Sequence, residues 1–150
     1  MKTPKGLLIS ICIVMFFVSC AGKSQIPFKT MVEEADSRVG ESVILGGYIL
    51  DSKISGDRTD ITILQTPLDW NTKPQTRDKS EGRFFASHNA KFNATAYSSD
   101  DSITVTGKIA GLTEEKVEGC PSPCLKIESS NIRMWRAHVN YYRPSGGPAR

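Results

Sequence analysis

Ser42-Val43-Ile44-Leu45-Gly46-Gly47-Tyr48-Ile49-Leu50 is the stretch on which the fold turns. Val43, Leu45 and Ile49 share one alternation and Ile44, Tyr48 and Leu50 the other, the two-residue period of a strand with apolar groups on both faces. Gly46 and Gly47 interrupt it. Two glycines inside an apolar strand imply a sharp bend or the close approach of another backbone, as at the corner of a small barrel.

On the C-terminal side, the turn-rich Ser52–Thr59 leads to a second strand at Asp60–Leu68, where Ile61 and Ile63 alternate with Thr62 and Leu64. Pro67 ends it. Asp69–Glu81 reads as a long, mobile, charged loop carrying Trp70, Lys73, Pro74 and Arg77, followed by strands at Gly82–Ser87 and Ser102–Ala110. Asn89–Asp101 between them has room for one helical turn. A last pair is expected at Lys116–Gly119 and Leu125–Trp135. On the N-terminal side, Phe28, Met31, Val32, Ala35 and Val39 recur at helical spacing, which predicts a helix over 28–39 with Pro27 in its first turn and Gly40 as a left-handed cap. A curved first strand, a meander of three and a longer connection before the fourth fit a mostly β fold. The expected architecture is a five- or six-stranded, OB-like Greek-key barrel with one short N-terminal helix.

Residues 1–19 carry an address. Lys2 and Lys5 precede an uncharged run from Leu7 to Val18, and Phe17-Val18-Ser19-Cys20-Ala21 follows. A basic start, an apolar stretch and small residues at its end form a secretory signal. The run spans about 18 Å as a helix, against roughly 30 Å of hydrocarbon, so it is too short to cross a membrane. Cysteine at the junction predicts a lipoprotein signal, with Cys20 lipidated on sulfur as the new N-terminus; cleavage after Ala21 and an uncleaved anchor are the alternatives. Residues 20–26 then form a lipidated tether of about 20 Å reach, residues 27–135 the barrel domain, and 136–150 a disordered tail with three arginines and no acid. Ala21 is not the aspartate that commonly retains such proteins in the inner membrane, so outer-membrane sorting is expected.

The charge of +3 falls to about +1 once Lys2 and Lys5 leave, too small for a nucleic-acid footprint. Cys120-Pro-Ser-Pro-Cys124 reads as a disulfide closing a tight, pre-bent turn. Free thiols and half of a metal site are the alternatives. A metal would need further ligands, and only His88 and His138 offer imidazole. The spacing excludes a thioredoxin-type motif.

Gly46-Gly47-Tyr48-Ile49, Gln65-Thr66-Pro67-Leu68-Asp69, Pro74 and Ser80-Glu81-Gly82-Arg83-Phe84, in this order and behind the Cys20 signal, resemble the Slp family of starvation-inducible outer-membrane lipoproteins. The Ile103–Gly111 strand and Trp135 fit as well. Leu45 stands where that family usually has Trp, and Cys120–Cys124 replaces an aromatic hairpin. The resemblance implies a lipid-anchored barrel of the envelope linked to stress, and brings no catalytic residue and no cofactor.

The residues agree in offering no enzyme signature: no G-x-S-x-G elbow, no H-E-x-x-H and no phosphate-binding glycine loop. Asp100-Asp101, Glu33-Glu34 and Glu114-Glu115 read as solvated pairs, and His88 and His138 as surface residues. Arg83 reads as a snorkelling or carboxylate-paired side chain, or as a contact for an anion or partner. Trp70 either packs over a barrel end or anchors an interface. The expected function is a non-catalytic structural or interaction role at the outer membrane, facing the periplasm. Trp70, Lys73, Arg77 and Arg83 form the candidate surface for an envelope protein or polymer. The alternative is an OB-like ligand-binding module for glycan, lipid headgroup or peptide.

Overall fold

The computed structural model describes residues 26–93, 100–114, 116–117, 119–120 and 123–137. The signal, Cys20, the tether up to residue 25 and the tail from 138 lie outside the described residues, as does 94–99. The helical turn expected within 89–101 is not seen at 89–93, and its remaining positions fall mostly in that gap.

Five strands close into one barrel: β1 (Ser42–Ser55), β2 (Arg58–Gln65), β3 (Gly82–His88), β4 (Ser102–Leu112) and β5 (Leu125–Trp135), in the order β1-β2-β3-β5-β4. Four pairings are antiparallel; β3 and β5 run parallel and complete the Greek key. This is the OB-like barrel expected, with five strands. The inner alternations meet as one core. Ile61, Ile63, Phe84, Ala86, Ile103, Val105, Leu125 and Ile127 have no solvent exposure.

The glycine pair does what its position implies, one residue on each side of the sheet. A Cβ at Gly47 would lie 1.8 Å from the Leu64 carbonyl oxygen, so β1 and β2 approach more closely there than any side chain permits. A Cβ at Gly46, on the outer side, would meet Leu68, Pro74 and the Ile103 carbonyl at 2.7–2.9 Å. A bulge at Leu50 then adds curvature, shifting the register from Ile49↔Ile63 to Asp51↔Thr62.

Several boundaries differ from the sequence reading. Ser52–Thr59 is not a loop: β1 and β2 continue through it to a hairpin closing at Ser55↔Arg58, with Gly56 at φ 62° in its turn. β2 stops at Gln65 rather than Leu68, because Pro67 has no N–H for the ladder and the chain leaves to cross the outer face. No strand forms at the described residues 116, 117 and 119. β5 pairs directly with β4, out to Leu112↔Leu125, and the cysteine segment is their connection. Within it Cys120 and Cys124 are joined by a disulfide, their Cα atoms 6.0 Å apart.

The N-terminal helix is shorter than 28–39. α1 covers Phe28–Glu33 and a 3-10 turn Ala35–Arg38 continues it. Phe28, Met31 and Ala35 plug the barrel end, but the tighter winding of the 3-10 turn rotates later residues off that face, leaving Val39 59% exposed. Pro27 is the N-cap, and Gly40, at φ 87°, donates to the Ile109 carbonyl at 2.8 Å. At the opposite end the fully buried Thr59 hydroxyl donates to Ala90 O and accepts from Phe92 N.

Gly47→Ala should destabilise the barrel by about 3 kcal/mol or more, since the contact it creates is with backbone that cannot yield; the urea midpoint reads this directly. Mass spectrometry of unreduced, exported protein should find Cys120 linked to Cys124. Replacing both by serine should cost about 2 kcal/mol at most, the closed loop being short.

Candidate functional site

The connection between β2 and β3 carries most of the candidate surface, and it is bonded along its length rather than free. Asp69 organises its tip: its carboxylate Oδ1 accepts from the N–H groups of Asn71 and Lys73 at 2.8 and 2.9 Å, and its own N–H donates to Lys73 O. Thr72 takes φ 64° to close the turn. Leu68 and Pro74 pair as an isolated bridge and lie on the bare backbone of Gly46. The Thr72 carbonyl accepts from the Thr104 hydroxyl of β4 at 2.6 Å, and that hydroxyl in turn accepts from Trp135 Nε1 at 2.8 Å. Trp135 is thus held in place, with the Arg133 guanidinium 4.0 Å from its ring centre.

The four predicted residues do not converge. Trp70 sits at the loop tip and is 89% exposed, so it does not pack over a barrel end. Lys73 is exposed beside it. Arg77, in the 3-10 turn Arg77–Lys79, lies over the Tyr48 ring at 4.3 Å, a cation–π contact that fastens the far half of the loop to β1. In that turn the Thr76 hydroxyl bond holds the Asp78 carboxyl below the ordinary carboxylate range. Arg83 projects from the outer face of β3, two strands along in the register Tyr48↔Leu64↔Arg83, and donates to the Gly119 carbonyl rather than to a carboxylate. Arg77 and Arg83 therefore share a face, while Trp70 and Lys73 stand apart towards β4.

Two residues read as surface have structural partners. Asp101 is buried to 9% exposure and its carboxylate caps the Ala137 N–H at 2.8 Å. His88, half-buried at the end of β3, bonds Ser129 through Nδ1 at 3.2 Å. Among the described residues no group of His, Cys, Asp and Glu could hold a metal ion.

The feature that the sequence reading missed is a groove of about 620 Å³ between α1, the start of β1 and Thr66–Leu68. Phe28, Met31, Val43, Leu45 and Leu68 contribute its apolar surface, and Ile26 contributes to its wall. It exists because β2 ends at Gln65 while β1 continues beyond it, and Pro67, which cannot join the ladder, is the sequence feature behind that end. Glu81 ties its rim together, accepting from Phe28 N at 3.1 Å while its own N–H donates to Gln65 Oε1.

The fold and its surfaces define a small OB-type barrel with an apolar groove at the end where its N-terminal segment enters. The chain belongs to the outer membrane lipoprotein Slp family, whose model matches residues 18–149. It is 27% identical over 106 residues to an uncharacterized protein of Haemophilus influenzae, covering 70% of this chain and 57% of that one. The chain thus spans less than three fifths of that relative's length. A solved structure from Leishmania major, assigned as an aspartyl-tRNA synthetase, superposes with a TM-score of 0.44 at 8% identity. That match covers 69% of this chain and 19% of the other.

Of the two tryptophans, Trp70 should give the emission that is red-shifted and readily quenched by acrylamide. Trp70→Phe should remove that component, leave the Trp135 emission, and change the unfolding free energy by less than about 0.5 kcal/mol.

Proposed function

We propose that this chain is anchored in the outer membrane through lipidated Cys20, faces the periplasm, and acts without catalysis on an envelope protein or polymer in a stress- or starvation-linked role. Membership of an outer membrane lipoprotein family over a span that includes Cys20 carries this reading. The tether from Cys20 to Ile26 would keep the barrel within about 20 Å of the bilayer. The best contact surface is the β2–β3 connection with Arg83, because a loop latched at Asp69, Thr72 and Arg77 presents Trp70 to solvent at little ordering cost. The alternative, an OB-like ligand-binding module, draws on a separate observation, the apolar groove at the tether end.

Cys20→Ala should release the protein from the outer-membrane fraction as soluble or unprocessed chain; retention there with lipid label intact would refute the anchor. In-cell crosslinking from the β2–β3 connection should capture a partner that Trp70→Ala combined with Arg83→Ala loses by tenfold or more, while fractionation and folding stay unchanged. Equal capture by the double variant would remove this surface from consideration.

A further inference from the structure

β1 pairs with β4 from Ser42↔Lys108 onward but with β2 only from Gly47↔Gln65. Thr66 N donates to Gly46 O at 2.9 Å, which turns the backbone of Gly46 away from β4. By the two-residue period of the ladder, the N–H and C=O groups of Ser42 and Ile44 face the same way, towards a side where β2 has ended. The groove occupies that side. Its surface is mostly apolar, its rim carries strand-edge groups of β1 that no described strand pairs, and Ile44, at the rim, is 45% exposed.

Three observations select its occupant. The described chain begins in the groove itself, at Ile26, and Cys20 lies six residues upstream, an extended reach of at most about 20 Å. Whatever Cys20 carries is held at high effective concentration beside the opening. Among the described residues lining the groove, the charged ones are Glu81 and Glu41, the latter paired with Arg38 at 2.9 Å just outside it, and none is a cation. A fatty-acid carboxylate or a phospholipid phosphate would lose its hydration there with no cation in the lining to replace it, whereas an uncharged glyceryl ester carries no such cost. Thr66 also lines it, is 1% exposed, and has a hydroxyl with no hydrogen-bond partner. An ester or amide carbonyl is the acceptor that such a donor lacks.

We propose that the groove holds one acyl chain of the lipid on Cys20, drawing the barrel onto the membrane surface. This rests on the reading that Cys20 is lipidated. Moving a chain from bilayer to groove exchanges one apolar surrounding for another, and the chains left in the bilayer suffice for stable anchoring when there are two of them.

The test uses the full chain, expressed in Gram-negative cells supplied with a diazirine-bearing palmitate and recovered in outer-membrane vesicles. Without irradiation, mass spectrometry of the N-terminal peptide shows whether Cys20 carries the label. After irradiation, crosslinks from that lipid should fall on peptides containing Met31, Ile44 or Leu68, and Ser42→Trp, which fills the groove from an exposed position, should reduce them at least tenfold. Thr66→Val should lower them several-fold while preserving the fold. A labelled Cys20 whose crosslinks reach only bilayer lipid, or barrel residues outside the groove, overturns the proposal and leaves lipidation standing. Release of phospholipid from the purified protein together with absent groove crosslinks overturns it in favour of a free lipid. An unlabelled Cys20 overturns both.

Discussion

The absence of side chains at two consecutive positions of β1 is the constraint on which the rest of the structure depends. At Gly47 the inner side of the strand meets the Leu64 carbonyl at a separation that excludes even a methyl group. That approach closes β1 onto β2 tightly enough for a five-stranded barrel of this size. At Gly46 the outer side receives Leu68 and Pro74. One glycine therefore shapes the barrel and its neighbour seats the connection that carries the exposed surface. The cost of two glycines in a strand is conformational entropy, offset here by packing that no other residue allows.

The β2–β3 connection shows how a polar segment becomes a definite surface. Its ordering comes from bonds within the turn and contacts to the barrel: Asp69 accepts from its own turn, the Thr72 carbonyl accepts from Thr104, which in turn accepts from Trp135, and the Arg77 guanidinium lies on the Tyr48 ring. With these satisfied, the segment can leave Trp70 in solvent without collapse of the turn. An exposed tryptophan on a bonded turn is a different object from one on a free loop, because little entropy remains to be lost when it meets a partner.

The same early end of β2 that frees this connection also leaves the start of β1 without a strand partner on one side among the described residues. Open sheet edges in barrels are normally paired or covered. Here α1 and Thr66–Leu68 cover the edge only in part, and the uncovered remainder is the groove. Ile26, the first described residue, lines that groove, so the apolar surface lies where the described chain enters the domain.

The core was legible in the sequence because a strand's period is local. Ile61 and Ile63, or Ile103 and Val105, show their shared face without reference to any other segment. The glycine pair, the left-handed turn at Gly40 and the cysteine turn are local in the same sense, and the family follows from the order of such blocks. Helix length was less legible, since a six-residue α-helix continued by a 3-10 turn keeps the apolar spacing of a longer helix while turning Val39 outward. Strand partners, and what their ends leave open, were decided only by the tertiary structure. The parallel pairing of β3 with β5, the direct pairing of β5 with β4, the burial of Asp101 and the groove beside Ser42 all depend on which edges meet. Hydrogen bonds between strands join residues far apart in the chain, and no local period records where that pairing stops.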